Sequence, residues 1–397
     1  MTGTFAEQSA ANVIPMRPVR RVVQPADDAA CTKVLYAVAS DDGLVEVASV
    51  ITALERKARV QQIVVHAERG PGAERDADEA PTTKVHHLLG AAAGNHAERT
   101  AATLTAFDAI LSEERPDVVV VVGDEDAALA AALAAAKRKI AVAHLRSGMR
   151  ARDWTEPEEV NRSLIDSLSD TLFTPSAEAE ANLIGEGVPA GRVYSVGSTR
   201  IDLLRQYEAT ARKLAAWSAQ DAEEGRYVLV ALWRPATFAP AERLSDIATA
   251  LGRLAKDCVV LLLLHPATRA LLESEEAQAL LTAARVRCVD PAAYLETLSL
   301  QAGAGSIITD AAIVQEEASA LGIACHTLLV ATASNVTLTH GTNTLLGDDP
   351  EAILEARVPG RAPTPAAIPL WDGHAGERVA DALVANYVLA STLTAPR

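Results

Sequence analysis

The chain has 397 residues, 49% of them hydrophobic, which is enough material for two cores and more than one ordinary domain needs. Its 36 basic residues against 52 acidic ones leave a net charge of −16, which excludes a broad nucleic-acid or anionic-membrane surface. No stretch of about eighteen apolar residues runs without a charge, so no membrane span is expected.

Met1 to about Ala30 carries Arg17, Arg20 and Arg21 but no continuous apolar core of a secretory signal, and reads as a loose extension. Lys33 to Ala39 is a buried strand that feeds Ser40-Asp41-Asp42-Gly43 and a helix to about Arg59. Gln62 to His66 is the next strand, and Ala67 to Thr83, charged and rich in Gly, Ala and Pro, reads as a surface loop. His86 and His87 read as exposed loop residues. A helix over about 97–114 leads to Asp117-Val-Val-Val-Val-Val-Gly-Asp124, whose valine run marks a central parallel strand, apolar on both faces. Further units follow in the same alternation: a helix over 127–137, a strand over 140–144, a helix over 158–170 opened by Pro157, a strand over 171–175, a helix over 177–186 and a strand over 193–197.

The charged stretch Gln206 to Gly225 reads as a passage to a second domain. That domain starts again with a strand over 226–232, a helix near 241–255 and a strand over 257–265, with short strands at 286–290, 306–309 and 324–329 and a final helix over about 376–393. The expected division is an extension over 1–30, a first domain over 31–205, a connection over 206–225, a second domain over 226–375 and a terminal helix and tail over 376–397. Strand and helix alternate throughout, so the fold class is α/β, with two Rossmann-like domains and a cleft between them. Cys31, Cys258, Cys288 and Cys325 are too widely spaced for a zinc set, and reduced thiols in a cytoplasmic protein without metal or cofactor are expected.

The densest chemistry lies between His144 and Arg162. One imidazole, several carboxylates and four guanidiniums follow directly on a parallel strand, and open α/β sheets bind ligands beyond the carboxyl ends of their strands. Such a set can bind an anion and position a carboxylate for proton transfer. Asp124, at the end of the valine strand, is a second candidate.

In order along the chain stand His144-x-x-x-Gly148-x-Arg150, Pro157-Glu-Glu-x-Asn-Arg162, Val196-Gly-Ser-Thr-Arg-Ile-Asp202, His265-Pro266, Asp290-Pro-x-x-Tyr294, Thr309-Asp310, Gln315-Glu-Glu317 and Gly341-Thr-Asn-x-Leu-Leu-Gly347. Over about residues 33 to 390 this resembles the non-hydrolysing UDP-N-acetylglucosamine 2-epimerases and their hydrolysing relatives. The resemblance implies a fold of the glycosyltransferase-B type, a homodimer, and a UDP-sugar substrate with UDP held by the second domain. It also implies inversion at C2 by elimination of UDP and re-addition.

Carried over by position, the resemblance makes Asp124 and Glu158 catalytic carboxylates and His265 a nucleotide or phosphate contact. It makes Glu317 an acceptor for the ribose hydroxyls, Arg150 a cleft residue, and Asp290 to Tyr294 the uracil segment. His144 is a candidate for the catalytic set, and Trp233 and Arg234 for the nucleotide site.

The chain also departs from the pattern. Where the family has a glutamate two residues after the strand-end histidine it has Arg146, placed here with the catalytic set as a phosphate contact. The family's Gly-His-Arg becomes Leu232-Trp233-Arg234, its Thr-Asp-Ser-Gly-Gly becomes Thr309-Asp310-Ala311-Ala312-Ile313, and its Gly-Thr-Arg-Pro-Glu becomes Ala39-Ser40-Asp41-Asp42-Gly43. The expected function is therefore a divergent sugar-nucleotide enzyme, most simply a 2-epimerase. A hydrolase or transferase on the same fold and a binding protein without chemistry are the alternatives.

Overall fold

The computed structural model describes residues 31–67, 83–90, 94–240, 242–290, 293–356 and 367–388. The expected extension over 1–30, nearly all of the loop after Ala67 and the tail beyond Val388 lie outside the described residues.

The first domain is a seven-stranded parallel sheet. Its strands are Thr32–Val38 (β1), Val60–His66 (β2), His87–Leu88 (β3), Val118–Val122 (β4), Ala141–Leu145 (β5), Thr171–Thr174 (β6) and Val193–Ser195 (β7). They lie in the order β3-β2-β1-β4-β5-β6-β7. Its helices are Asp41–Lys57 (α1), His96–Glu114 (α2), Asp126–Lys137 (α3), Pro157–Leu168 (α4), Ala177–Gly185 (α5) and Thr199–Leu214 (α6).

The second domain repeats the winding with Tyr227–Ala231 (β8), Val259–Leu263 (β9), Arg287–Val289 (β10), Ser306–Thr309 (β11), Ala324–Thr327 (β12) and Asn343–Leu345 (β13), in the order β10-β9-β8-β11-β12-β13. Its helices are Glu242–Leu254 (α7), Pro266–Leu272 (α8), Glu275–Ala283 (α9), Tyr294–Ala302 (α10), Ala312–Leu321 (α11) and Val336–Thr339 (α12). The order reverses between β1 and β4 and again between β8 and β11, which makes two topological switch points.

The valines of β4 explain how one strand serves two layers. Val118, Val120 and Val122 join the core on one face of the sheet, while Val119 and Val121 join the core on the other. On the second face the alanines of α3 let that helix lie close to the sheet.

The terminal helix Ala375–Leu383 (α13) returns to the first domain, where Val379, Ala380 and Leu383 complete its core. Asp202 of α6 accepts the N–H groups of Ala375 (2.9 Å) and Gly376 (2.6 Å), which are otherwise orphans of the helix start. A Cβ on Gly376 would come within 2.7 Å of the Ser49 backbone, so only glycine allows this approach to α1.

The stretch read as a connection from Gln206 is helical as far as Leu214, because α6 continues through it. His87 is likewise in the edge strand β3, and His86 Nδ1 accepts the Val64 N–H at 3.0 Å. A further apolar cluster joins the domains, with Val45 of α1 and Ile201 and Leu204 of α6 meeting Tyr294 and Leu298 of α10.

Candidate active site

The carboxyl edges of the two sheets face a shared cavity of about 380 Å³. The first domain contributes the segments after β1, β4 and β5, the second those after β8, β11 and β12. At the first of these, Gly43 lets α1 start against β1, since a Cβ there would lie 2.9 Å from Val38 Cβ. Asp42 and Glu46 of α1 thereby reach the cavity wall.

Asp124 and Glu158 both line the cavity. Gly123, at φ +84°, turns the chain after β4, and the Asp124 carboxylate accepts from Arg162 Nη1. Arg162 is fixed in turn by Glu159, which takes its Nε (3.1 Å) and Nη2 (2.8 Å). The same carboxylate accepts the backbone N–H of Ala151 and Arg152, each at 2.9 Å, and bends that loop over the site. Asn161 Nδ2 donates to the Asp124 carbonyl at 2.9 Å. Glu159, Asn161 and Arg162 are therefore the scaffold of Asp124, while Glu158, on the neighbouring face of α4, is left to the cavity.

Arg146, at φ +63°, also lines the cavity, but its fork is taken. Nη1 donates to Glu46 Oε1 (3.0 Å) and Glu316 Oε2 (2.9 Å), and Nη2 to Glu316 Oε1 (2.7 Å). Burial works against its charge, yet Glu316 and Glu46 outweigh that and hold the guanidinium well above its ordinary pKa. It is a fixed cation that ties the domains, with Nη1 and Nη2 both directed at these two carboxylates. Arg234 lines the cavity and pairs across the cleft with Glu156, a second tie.

The other expected site residues do not themselves line the cavity. His144 is buried, with Nδ1 on Asp166 (2.7 Å) and Nε2 on the Gly123 carbonyl (3.1 Å), so it fixes the turn before Asp124. Arg150 is buried on Asp166 (2.8 Å) and makes a two-pronged pair with Glu186 (2.9 and 2.7 Å). Asp290 is exposed and paired with Arg269 (2.8 Å).

Glu317 is buried and accepts from Arg200 Nε (2.7 Å), Gln301 Nε2 (2.6 Å) and the Tyr294 hydroxyl (3.2 Å). Burial raises its pKa, opposed by Arg200 and Gln301. Trp233 is stacked on His265, ring centroids 4.7 Å apart and planes 15° from parallel. Burial lowers the His265 pKa, partly offset by Asp42.

Asp310 organises the second-domain edge. It accepts the N–H of Trp233 (2.7 Å) and Arg234 (3.1 Å) and the Thr237 hydroxyl (2.6 Å). Ala311, Ala312 and Ile313 follow on the cavity wall at the start of α11, whose N-cap position, Ala311, supplies no side-chain cap. Its first-turn N–H groups are a ready anion site. Asp42, Glu46, Arg200 and Gln315 are also on the cavity wall; none of them is among the expected site residues, although Arg200 and Gln315 stand in the motifs that carry the resemblance.

Two parallel α/β domains, with their strand ends turned toward one acid-and-arginine cavity, define the glycosyltransferase-B class of architecture. A sequence model of the UDP-N-acetylglucosamine 2-epimerase family matches residues 43–384, and the chain belongs to that family. It is 32% identical to the UDP-N-acetylglucosamine 2-epimerase of Methanocaldococcus jannaschii over 79% of this chain and 88% of that one. It is 29% identical to the UDP-2,3-diacetamido-2,3-dideoxy-D-glucuronate 2-epimerase of Pseudomonas aeruginosa, over 82% of this chain and 91% of that one. The crystal structure of the M. jannaschii enzyme in complex with UDP-GlcNAc and UDP superposes with a TM-score of 0.81 at 30% identity, covering 89% of this chain and all of that one.

Proposed function

We propose that the chain is a UDP-sugar 2-epimerase in which Asp124 and Glu158 handle the proton at C2. The observation that carries this is their joint position on one wall of a cavity whose other wall includes the open start of α11. One carboxylate takes the C2 proton. The bond from C1 to the β-phosphate oxygen breaks, UDP leaves with the electron pair, and a C1=C2 double bond remains. In the return, a carboxylic acid delivers a proton to the other face of C2 while UDP re-forms the bond at C1. The α11 N–H groups and the helix dipole stabilise the departing diphosphate. Arg162 orients Asp124, and Arg146 and Arg234 hold the domains together around the reacting sugar. The working form is a cytoplasmic homodimer, as the family resemblance implies.

The test is incubation with UDP-N-acetylglucosamine in deuterated water. Deuterium at C2 together with the manno isomer is the expected result. Free UDP with free sugar would instead mark a hydrolase, and binding without turnover a non-catalytic member.

A further inference from the structure

Two buried donors on the cavity wall have no hydrogen-bond partner among the described residues. Arg200, 2% exposed, gives Nε to Glu317 (2.7 Å) and Nη2 to Asp42 (2.9 Å), but Nη1 has no acceptor, with Glu46 Oε1 at 4.0 Å. Gln315, fully buried, accepts through Oε1 from Thr332 (2.7 Å) and Asn343 (3.2 Å), which leaves Nε2 unmet. Both residues line the cavity, one from α6 and one from α11. The other polar atoms of each side chain already position it, so the fold does not require these two nitrogens to be donors. An unmet buried N–H is costly, and a ligand acceptor removes the cost.

We propose that Arg200 Nη1 and Gln315 Nε2 are specificity-determining donors for the sugar: they bind neutral oxygens, hydroxyl or acylamino carbonyl, and reject a sugar that carries a carboxylate. This rests on the UDP-sugar reading above. The neutrality follows from the surrounding charges. Next to these two donors, among the described residues, Asp42, Glu46, Glu316 and Glu317 stand against Arg146 and Arg200, and both guanidiniums already serve two carboxylates each. An incoming carboxylate at Nη1 would meet Glu46, 4.0 Å from that same nitrogen, inside a site where like charges are poorly screened. A hydroxyl there accepts from Nη1 and can turn its own proton toward a carboxylate.

The experiment is calorimetric titration of the full chain with UDP, with UDP-N-acetylglucosamine and with its C6-carboxylate counterpart. The wild-type protein is expected to bind UDP-N-acetylglucosamine more tightly than UDP, and the carboxylate sugar about tenfold or more weakly than the neutral one. Gln315→Leu should weaken UDP-N-acetylglucosamine about five- to tenfold while UDP itself changes by less than about twofold. Gln315→Met, which keeps the length and neutrality of the side chain but loses Nε2, should show the same split and decides the matter if Gln315→Leu fails to fold. Equal losses for UDP and UDP-N-acetylglucosamine in a folded variant, or a carboxylate sugar bound as tightly as the neutral one, would overturn the proposal. No binding of UDP by the wild-type protein would overturn the UDP-sugar reading, and this inference with it.

Discussion

Arg146 and Glu316 form a two-pronged ion pair, 2.9 and 2.7 Å, that joins the end of β5 in one domain to α11 in the other. The same guanidinium reaches Glu46 at 3.0 Å, so a single cation holds two buried carboxylates at the floor of the cleft. Where the family pattern has a carboxylate, this chain has an inter-domain tie.

Removing the cation while keeping the bulk therefore leaves Glu46 and Glu316 buried without their shared partner. Arg146→Met should destabilise the protein by about 3–5 kcal/mol, the range for breaking a buried pair by loss of one member. Urea unfolding reads this directly. A variant within about 1 kcal/mol of the wild-type protein would show that the tie adds little, as for exposed pairs.

Asp124 is a different kind of residue. Its side chain is partly open to the cavity, at 32% exposure, and its support comes from Arg162 and from Asn161 at its carbonyl. Asp124→Asn keeps the shape and should lower kcat by about two to four orders of magnitude, the usual loss for one proton-transfer group, with little change in Tm. Glu158→Gln should behave similarly. Deuterium exchange at C2 is the readout, and undiminished exchange in both variants would remove these two from the chemistry.

How much of this was legible beforehand differs from element to element. The valines of β4 announced a central strand because both faces of a parallel sheet are buried, and the place of Asp124 and Glu158 on the cavity wall follows from their positions at a strand end and a helix start. The charged side of α6, with half-buried Glu208 and Arg212 and exposed Lys213, hid a helix whose other side, Ile201, Leu204 and Ala211, is core. The two-residue β3 is too short for any pattern to show. At the site, Glu46 meets Arg146 across 100 residues and Arg200 meets Glu317 across 117, distances over which no local spacing carries information. His144 and Arg150 carried the right chemistry, but strand periodicity alone does not say that their partner is the buried Asp166.

A pH dependence follows from two histidines. Burial pulls His265 below its ordinary value of about 6.5, with Asp42 opposing, and does the same to His326, with Glu355 opposing. The folded state thus favours the neutral rings. Their contribution is fully present above about pH 6.5, where the unfolded rings are neutral as well, and is lost as pH falls through the lowered folded values. Stability measured by urea unfolding should therefore fall as pH drops below about 6.5, and His265→Gln combined with His326→Gln should flatten that part of the curve. The slope is the quantity to compare, since loss of the Trp233 stack shifts the whole curve. Parallel slopes in the two proteins would rule out these histidines as its source.

The start of α11 gives the last test. Ala311 holds the N-cap position with extended backbone, φ −103° and ψ 123°, and no side-chain hydrogen bond, while its side of the helix faces the cavity. A serine there can accept a first-turn N–H, so Ala311→Ser should add about 1 kcal/mol to stability without ligand. Its hydroxyl proton would then point toward whatever occupies that helix end, and a hydroxyl donating to an anion forms a charge-assisted bond. UDP should accordingly bind about three- to tenfold more tightly to the variant, measured by calorimetry beside the thermal unfolding. Gain of stability with unchanged UDP affinity would mean that the diphosphate sits elsewhere, and the elimination geometry argued from α11 would have to move with it.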